Sequence, residues 1–359
     1  MANFVKNTTL ILFFSALLFV FVELVIRQFF PQTSETSYST GDSLGIKDPV
    51  TGHLNRPSTR AVVSGPEFTV EYIVDDRGFR SDSLASKSTG KLDHITVLLL
   101  GDSFVFGAAN NFDDIWPEVL AKKFSADGQK VEIINAGVPG FDTSQQALYL
   151  EKLFQIYQAD IVLLTFLPND LFANEPIQNI DGLEVARGDA EAVVKAGGGK
   201  KSAFQSVTLL KRMLMQSDSA YIRLYLLTPR RDYFATLPAN AVESKVETTK
   251  ELLLRIQQIS SQNGADLAVL SIPQLYQVLH VASGAAVPDI DPRYTDAMFG
   301  NFASESGIKW VPSLETLAET YAKTKDELYF RFDGHLTPAG NQVIAEIAYD
   351  ALKPMISVR

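Results

Sequence analysis

Ile95-Thr96-Val97-Leu98-Leu99-Leu100-Gly101-Asp102-Ser103-Phe104 is the stretch on which the reading of this chain turns. Residues 95–100 form an apolar run, β-branched at its start, as expected of a strand buried on both faces of a parallel sheet. Gly101-Asp102-Ser103 then turns the chain at the strand's carboxyl end. In open α/β sheets that edge is where ligands bind. Ser103, placed there ahead of a helical segment, is a candidate nucleophile. A serine hydroxyl is weakly nucleophilic on its own and needs a base within reach, so its partners must come from elsewhere in the chain.

Downstream, strands alternate with helical patterns. A helix is expected over 114–124, capped by Asp113 or Asp114, with Pro117 in a first turn that needs no amide donor. A short strand over 131–134 leads into a loop, Asn135-Ala136-Gly137-Val138-Pro139-Gly140. The spacing of Ala147, Leu148, Leu150, Leu153 and Phe154 predicts a helix over 143–158. Residues 161–166 read as another buried strand, ending at Leu167-Pro168-Asn169-Asp170. The rhythm resumes with a long helix over 243–263 stopped by Gly264, a strand over 267–272, a helix over 294–306, a strand over 309–311 and a last helix over 338–352. Such repetition predicts a parallel sheet with right-handed crossovers.

Between 171 and 242 the pattern breaks. Gly197-Gly198-Gly199-Lys200-Lys201 reads as a surface loop, and 203–227 as two short apolar helices with interleaved basic residues. These helices either cap the sheet edge or touch a membrane, and the cap is the favoured reading. Upstream, Phe68-Thr69-Val70-Glu71-Tyr72-Ile73-Val74 alternates like a strand before the turn Asp75-Asp76-Arg77-Gly78, in a β-rich preface too short for much core of its own.

Residues 10–22 carry no charge, and the apolar stretch continues past Glu23 to Ile26, the lower limit for crossing a bilayer. No small-x-small cleavage site follows, so an uncleaved anchor is favoured over a cleaved signal. Glu23 and Arg27 are spaced to pair on one helix face, and Pro31 ends the helix. Lys6 before the span gives a slight bias toward a cytoplasmic amino terminus and an extracytoplasmic, periplasmic body. The expected organisation is an anchor over 8–30, a linker and β preface over 31–90, and a main domain over 91–359 with a cap-like insertion at about 171–242.

The net charge of −10 disfavours nucleic acid. The absence of cysteine excludes disulfides, thiolate metal sites and cysteine nucleophiles. His53, His94, His280 and His335 lack ligand spacing, so neither metal nor organic cofactor is expected. His335 is the best base for Ser103, because Asp333 precedes it by two residues in a glycine-flanked loop that opens a helix. An aspartate there can fix the imidazole tautomer and stabilise the imidazolium; the plain alternative is a helix-capping loop. Acyl transfer also needs donors for the oxyanion. The Gly140 amide and the Asn169 side chain stand at strand ends where they can serve, although each also has a structural reading as turn or cap.

Gly101-Asp102-Ser103, Gly140, Asn169-Asp170 and Asp333-Gly334-His335 resemble, in order and setting, the sequence blocks of the GDSL/SGNH hydrolase superfamily. The resemblance covers about residues 95–352, and the anchor and preface are similar to its membrane-anchored bacterial members. It implies a flavodoxin-like three-layer α/β/α sandwich with a parallel sheet. It also implies esterase chemistry, with Ser103 as nucleophile, His335 as base, Asp333 as orienter, and an oxyanion hole made by the Ser103 and Gly140 amides with Asn169. Two departures stand out: Leu167 holds a position the family gives to glycine, and the last block is Asp-x-His rather than Asp-x-x-His. The shorter spacing resembles members that act on acylated polysaccharides. The expected activity is therefore hydrolysis or transfer of an acyl group, O-acetyl on a cell-envelope or extracellular polysaccharide. The alternatives are a lysophospholipase or thioesterase and an inactive tethered carbohydrate-binding module.

Overall fold

The computed structural model describes residues 2–32, 37–41, 43–86, 94–180, 182–186, 204–236 and 240–358. The glycine-rich loop at 197–201, residues 87–93, and residues 33–36 and 42 of the linker lie outside these residues, while Ser37–Gly41 of the expected linker forms a strand. The chain opens with helix α1 (Ala2–Phe29), followed by strands β1 (Ser37–Gly41), β2 (Gly45–Asp48), β3 (Gly52–Asn55), β4 (Thr59–Ser64), β5 (Thr69–Val74) and β6 (Arg80–Ser81). The main body then runs β7 (Ile95–Gly101), α2 (Ser103–Phe106), α3 (Trp116–Ala126), β8 (Val131–Gly137), α4 (Thr143–Phe154) and β9 (Ile161–Phe166). A break follows, with α5 (Asp170–Ala173), β10 (Gln178–Ile180), β11 (Leu183–Val185), α6 (Gln205–Met215) and α7 (Asp218–Leu226). The chain closes with α8 (Asn240–Gln262), β12 (Asp266–Ser271), α9 (Leu275–Ser283), α10 (Tyr294–Glu305), β13 (Lys309–Pro312), α11 (Leu314–Thr324) and α12 (Pro338–Ser357).

The central sheet has the order β13-β12-β9-β7-β8, and every pairing is parallel. Numbered among themselves along the chain, these strands are arranged 2-1-3-4-5, the flavodoxin-like order. The order reverses between β7 and β9, which opens a crevice beyond their carboxyl ends. Along β7, Val97 and Leu99 face one helical layer with Trp116, Tyr276, Leu317 and Ile344, while Leu98 and Leu100 face the other with Leu150, Leu253 and Phe299. Both faces are therefore apolar, which is why the strand reads as an unbroken run rather than an alternation. The fold is a three-layer α/β/α sandwich.

The preface forms an antiparallel sheet, β1-β4-β5-β6, beside a β2-β3 hairpin. Its apolar side gathers Val63, Val70 and Val74 around Phe106, a residue of the main body. A four-residue helix carrying Ser103 is thus wedged between the two sheets.

Several local expectations are corrected. The turn before α3 is a 3-10 turn over Phe112–Asp114, so Asp113 and Asp114 lie inside it and the cap position falls to Ile115, with no side-chain bond. Asn135, Ala136 and Gly137 belong to β8 rather than to a loop, because each pairs with β7. Helix α4 ends at Phe154, short of 158. Helices α9 and α11 fall where the sequence pattern predicts no element, and His280 lies in α9 instead of a loop. The two short helices expected over 203–227 are α6 and α7, but they behave differently. Ile222 and Tyr225 of α7 are buried against the body, whereas α6 buries none of its side chains.

Candidate active site

Ser103 begins α2 directly beyond β7, and Asp102 caps that helix by accepting the Phe104 N–H at 2.8 Å. β8 holds the same helix from behind. The Asn135 side chain donates to the Val105 carbonyl at 2.8 Å, closing off an orphan acceptor at the helix end. Gly137 lets the two backbones meet, since a Cβ there would stand 2.3 Å from the Phe106 nitrogen.

His335 Nε2 lies 2.8 Å from Ser103 Oγ, and its Nδ1 lies 2.5 Å from Asp333 Oδ1. With Nδ1 protonated and donating to the carboxylate, Nε2 is left to accept from the serine hydroxyl, a tautomer assigned from this network. Gly334, with φ +90°, makes the turn that brings Asp333 and His335 side by side across a one-residue spacing. Burial disfavours a charged His335, but the Asp333 hydrogen bond and the Asp333 and Asp102 carboxylates outweigh it and raise the imidazole above its ordinary pKa. Burial also pushes Asp102 up to about 6. Burial, then the Asp102 charge, raise Asp170 well above the carboxylate range. Asp170 Oδ2 accepts the Leu167 N–H at 3.2 Å, while Oδ1 has no hydrogen-bond partner.

Ser103, Asn169, Asp333 and His335 line one cavity of about 270 Å³, together with Leu167. Asn169 occupies the cap position of α5 without a side-chain cap bond, so the plain capping reading does not account for it. Its Oδ1 faces Gln274 Nε2 at 3.5 Å. Gly140, with φ +84°, lies in the turn after β8 and is not among the residues lining this cavity.

The other histidines are engaged elsewhere. His53 Nε2 binds the Pro139 carbonyl at 2.9 Å, holding the turn that contains Gly140. His94 meets Glu132 at 2.6 Å. His280 is buried between the Tyr276 hydroxyl and the Ala285 carbonyl. Among the described residues no group of three or more His, Asp or Glu side chains is arranged to hold a metal ion.

Two parts of the site carried no motif. Tyr221, Tyr225, Arg230, Tyr233 and Gln274 complete the cavity wall, brought there by α7, by the 3-10 helix Pro229–Phe234 that follows it, and by the turn before α9. Tyr225 is fixed by stacking on Tyr276 at 4.4 Å and by donating its hydroxyl to Gln274. Glu67, in the turn between β4 and β5, accepts the backbone N–H groups of Arg331, Phe332 and Asp333 at 2.8, 2.9 and 2.9 Å. Arg331 is itself buried against Glu327 and against Asp218 of α7, each at 2.8 Å, so α7 is tied to the Asp333–His335 loop.

A hydroxyl on an imidazole oriented by a carboxylate is the arrangement that activates an oxygen nucleophile. No family model and no curated protein matches this chain. Among solved structures the chain is similar to TesA at 17% identity, covering 72% of this chain and 99% of that one with a TM-score of 0.42. A lipolytic G-D-S-L protein from Veillonella parvula is 14% identical over 72% of this chain and 98% of that one, with a TM-score of 0.41. The acetyl xylan esterase AlAXEase is 12% identical over 72% and 100%, with a TM-score of 0.43.

Proposed function

We propose that this chain is a membrane-anchored serine esterase, with Ser103 as nucleophile, His335 as general base and acid, and Asp333 as the orienter of His335. The carrying observation is the hydroxyl–imidazole–carboxylate relay, 2.8 and 2.5 Å, at the mouth of the crevice. In this reading Ser103 Oγ attacks the ester carbonyl carbon while its proton passes to His335 Nε2. The Ser103 amide and the Asn169 carboxamide, both on the cavity wall, stabilise the oxyanion, and the Gly140 amide, from the turn after β8 outside that lining, is assigned as the third donor. The carbonyl–oxygen bond to the leaving alcohol breaks as Nε2 returns the proton to that oxygen, leaving an acyl ester on Ser103. Water, deprotonated by Nε2, attacks the acyl-enzyme, and collapse releases the acid and restores the serine proton. A sugar hydroxyl in place of water would make the same machinery a transferase.

The substrate we assign is O-acetyl on a cell-envelope or extracellular polysaccharide. A cavity walled by three tyrosines, Arg230 and Gln274 offers ring faces and hydrogen-bonding groups suited to a sugar. A long alkyl chain needs an apolar slot, and the exposed apolar residues of α6 are not among the lining residues. This favours the glycan over a lysophospholipid or thioester. An inactive binding module is disfavoured because the relay is complete and hydrogen-bonded. The anchor in this reading is α1, whose segment Asn7–Phe29 is long and apolar enough to cross a bilayer, with the body on the extracytoplasmic, periplasmic side.

The test uses the full-length chain in detergent. It should hydrolyse short-chain nitrophenyl esters, release acetate from acetylated glycans in preference to fatty acid from lysolipids, and be labelled by a fluorophosphonate. Ser103→Ala should abolish all of these while leaving the far-UV spectrum unchanged. Equal turnover by Ser103→Ala would sink the assignment.

A further inference from the structure

Helix α6 is amphipathic in the wrong sense for a soluble domain. Two of its polar side chains turn toward the protein: Gln205 Oε1 accepts the Gln32 N–H at 3.1 Å, and Arg212 donates to Gln32 Oε1 at 2.9 Å. Four of its six apolar side chains turn outward, with Val207, Leu210, Met213 and Leu214 exposed at 54, 57, 65 and 45%, while Leu209 and Met215 are half-buried. Spaced through two turns, they make one continuous stripe rather than scattered exposures.

The stripe is joined to the apolar helix α1. The Phe19 and Phe204 rings meet edge to face at 5.3 Å. One turn further along α1, Glu23 interrupts the apolar run and is nevertheless only 7% exposed. Its two carboxylate oxygens accept the Gln205 and Ser206 N–H groups at 2.8 and 2.9 Å, and Arg27 pairs with it at 2.7 Å. A carboxylate on the free amides of a helix start is a favourable pairing, so Glu23 clamps α6 to α1 instead of facing lipid.

We propose that α6 is a second membrane contact beside α1, its apolar stripe seated in the acyl–headgroup boundary and the opposite face against the protein. The proposal rests on reading α1 as a membrane span, because the stripe continues the apolar surface of that span and is clamped beside its outer end. Amphipathic helices with exposed aliphatic stripes and a flanking cation such as Lys211 bind in this way. Helix α7 follows α6 directly and carries Tyr221 and Tyr225 into the cavity wall, so seating α6 sets the height of the cavity above the membrane.

The chain has no cysteine, so single cysteines can report position in the full-length protein. Leu210→Cys, Met213→Cys, Phe14→Cys and Gln262→Cys are each labelled with an environment-sensitive NBD fluorophore and reconstituted in phosphatidylcholine–phosphatidylglycerol vesicles. The first two should be quenched several-fold more by nitroxides near the lipid headgroup than by aqueous iodide. Phe14→Cys should be quenched by nitroxides deep in the acyl region, and Gln262→Cys by iodide alone. Iodide-accessible labels at 210 and 213 with a lipid-quenched label at 14 would overturn the inference and leave the span intact. Labels shielded from both quenchers would mean that a second copy covers the stripe, which also overturns it. An iodide-accessible label at 14 would refute the span itself, and the inference with it.

Discussion

The Glu67 carboxylate accepts the backbone N–H of Asp333 at 2.9 Å, across 266 residues of sequence. The same carboxylate takes the Arg331 and Phe332 amides, so one side chain of the β preface sets the backbone of the loop that carries Asp333 and His335. The preface thereby has a reason to stand in front of the sheet: it supplies an anion to three converging donors. Hydrogen bonds to a charged acceptor each contribute about 1.5–3 kcal/mol.

Glu67→Ala should therefore loosen the loop more than it disturbs the fold. Misplacing a catalytic group by about 1 Å costs on the order of 10²-fold in rate, so kcat should fall between about ten- and a hundredfold with KM little changed. Glu67→Gln keeps one acceptor oxygen and should recover part of the loss. Steady-state kinetics with a nitrophenyl ester check this, and an unchanged kcat in Glu67→Ala would remove the positioning role.

The acid limb of the pH–rate profile should lie above the ordinary histidine range of about 6.5. Activity needs neutral Nε2, and the Asp333 bond and the two carboxylates raise the His335 pKa against the opposing effect of burial. Activity should thus rise as pH climbs through that raised value. Asp333→Asn removes the principal cause, so the limb should move to lower pH while kcat drops on the order of 10⁴-fold through loss of the correct tautomer. The sign for stability is opposite to that for activity: a raised folded pKa stabilises below the unfolded value, and the benefit is lost as pH rises through the folded one. A limb that stays in place in Asp333→Asn would show that this carboxylate does not govern the imidazole.

What could be read in the sequence was local. Strand β7 was legible because burial on both faces removes the alternation that otherwise obscures a short strand. Ser103 and His335 were legible because each follows a glycine turn at an element boundary. Helix α9 was not, since Leu275 to His280 are all buried and no polar stripe marks a period. Helix α11 carries Leu314, Leu317, Ala318 and Tyr321 at helical spacing, a signal present in full, but it begins immediately after β13 without a side-chain cap. Glu67, Tyr225 and Arg230 had no signal at all, because their placement depends on contacts between segments with no shared pattern. The sense of α6 was hidden for a related reason: periodicity reveals that a helix has an apolar face but not which way that face turns.

Asp170 is fully buried, with Oδ1 lacking a hydrogen-bond partner, and burial and the Asp102 charge raise its pKa well above the carboxylate range. A carboxyl whose folded pKa exceeds its unfolded one makes the native state bind more protons, so it lowers stability as pH rises above the unfolded value. Asp170→Asn retains an oxygen for the Leu167 N–H and removes that titration. The variant should melt higher than the parent at pH 8, with the difference shrinking toward pH 4, when thermal unfolding is followed across that range. Parallel melting curves at every pH would show that Asp170 is not held protonated.

Gly137 is the point at which β8 and the helix bearing Ser103 come closest. A methyl group there would stand 2.3 Å from the Phe106 nitrogen and 2.7 Å from the Val105 carbonyl carbon, and both obstacles are backbone. A flexible side chain could swing aside, but a backbone can yield only by moving α2. That motion would carry Phe106 into the preface core and pull Val105 off the Asn135 side chain, which donates to its carbonyl at 2.8 Å. Overpacking of this kind costs about 1–3 kcal/mol, and the displacement falls on the element that aims Ser103 at His335. Gly137→Ala should therefore lower thermal stability and also slow fluorophosphonate labelling of Ser103 by more than tenfold in the fraction that remains folded. Val138→Ala, one residue further on, removes a buried side chain without adding an atom between the two backbones. It should reduce stability while leaving the labelling rate of the folded protein nearly intact. Equal labelling rates for Gly137→Ala and the parent would mean that the contact supports the fold without setting the serine.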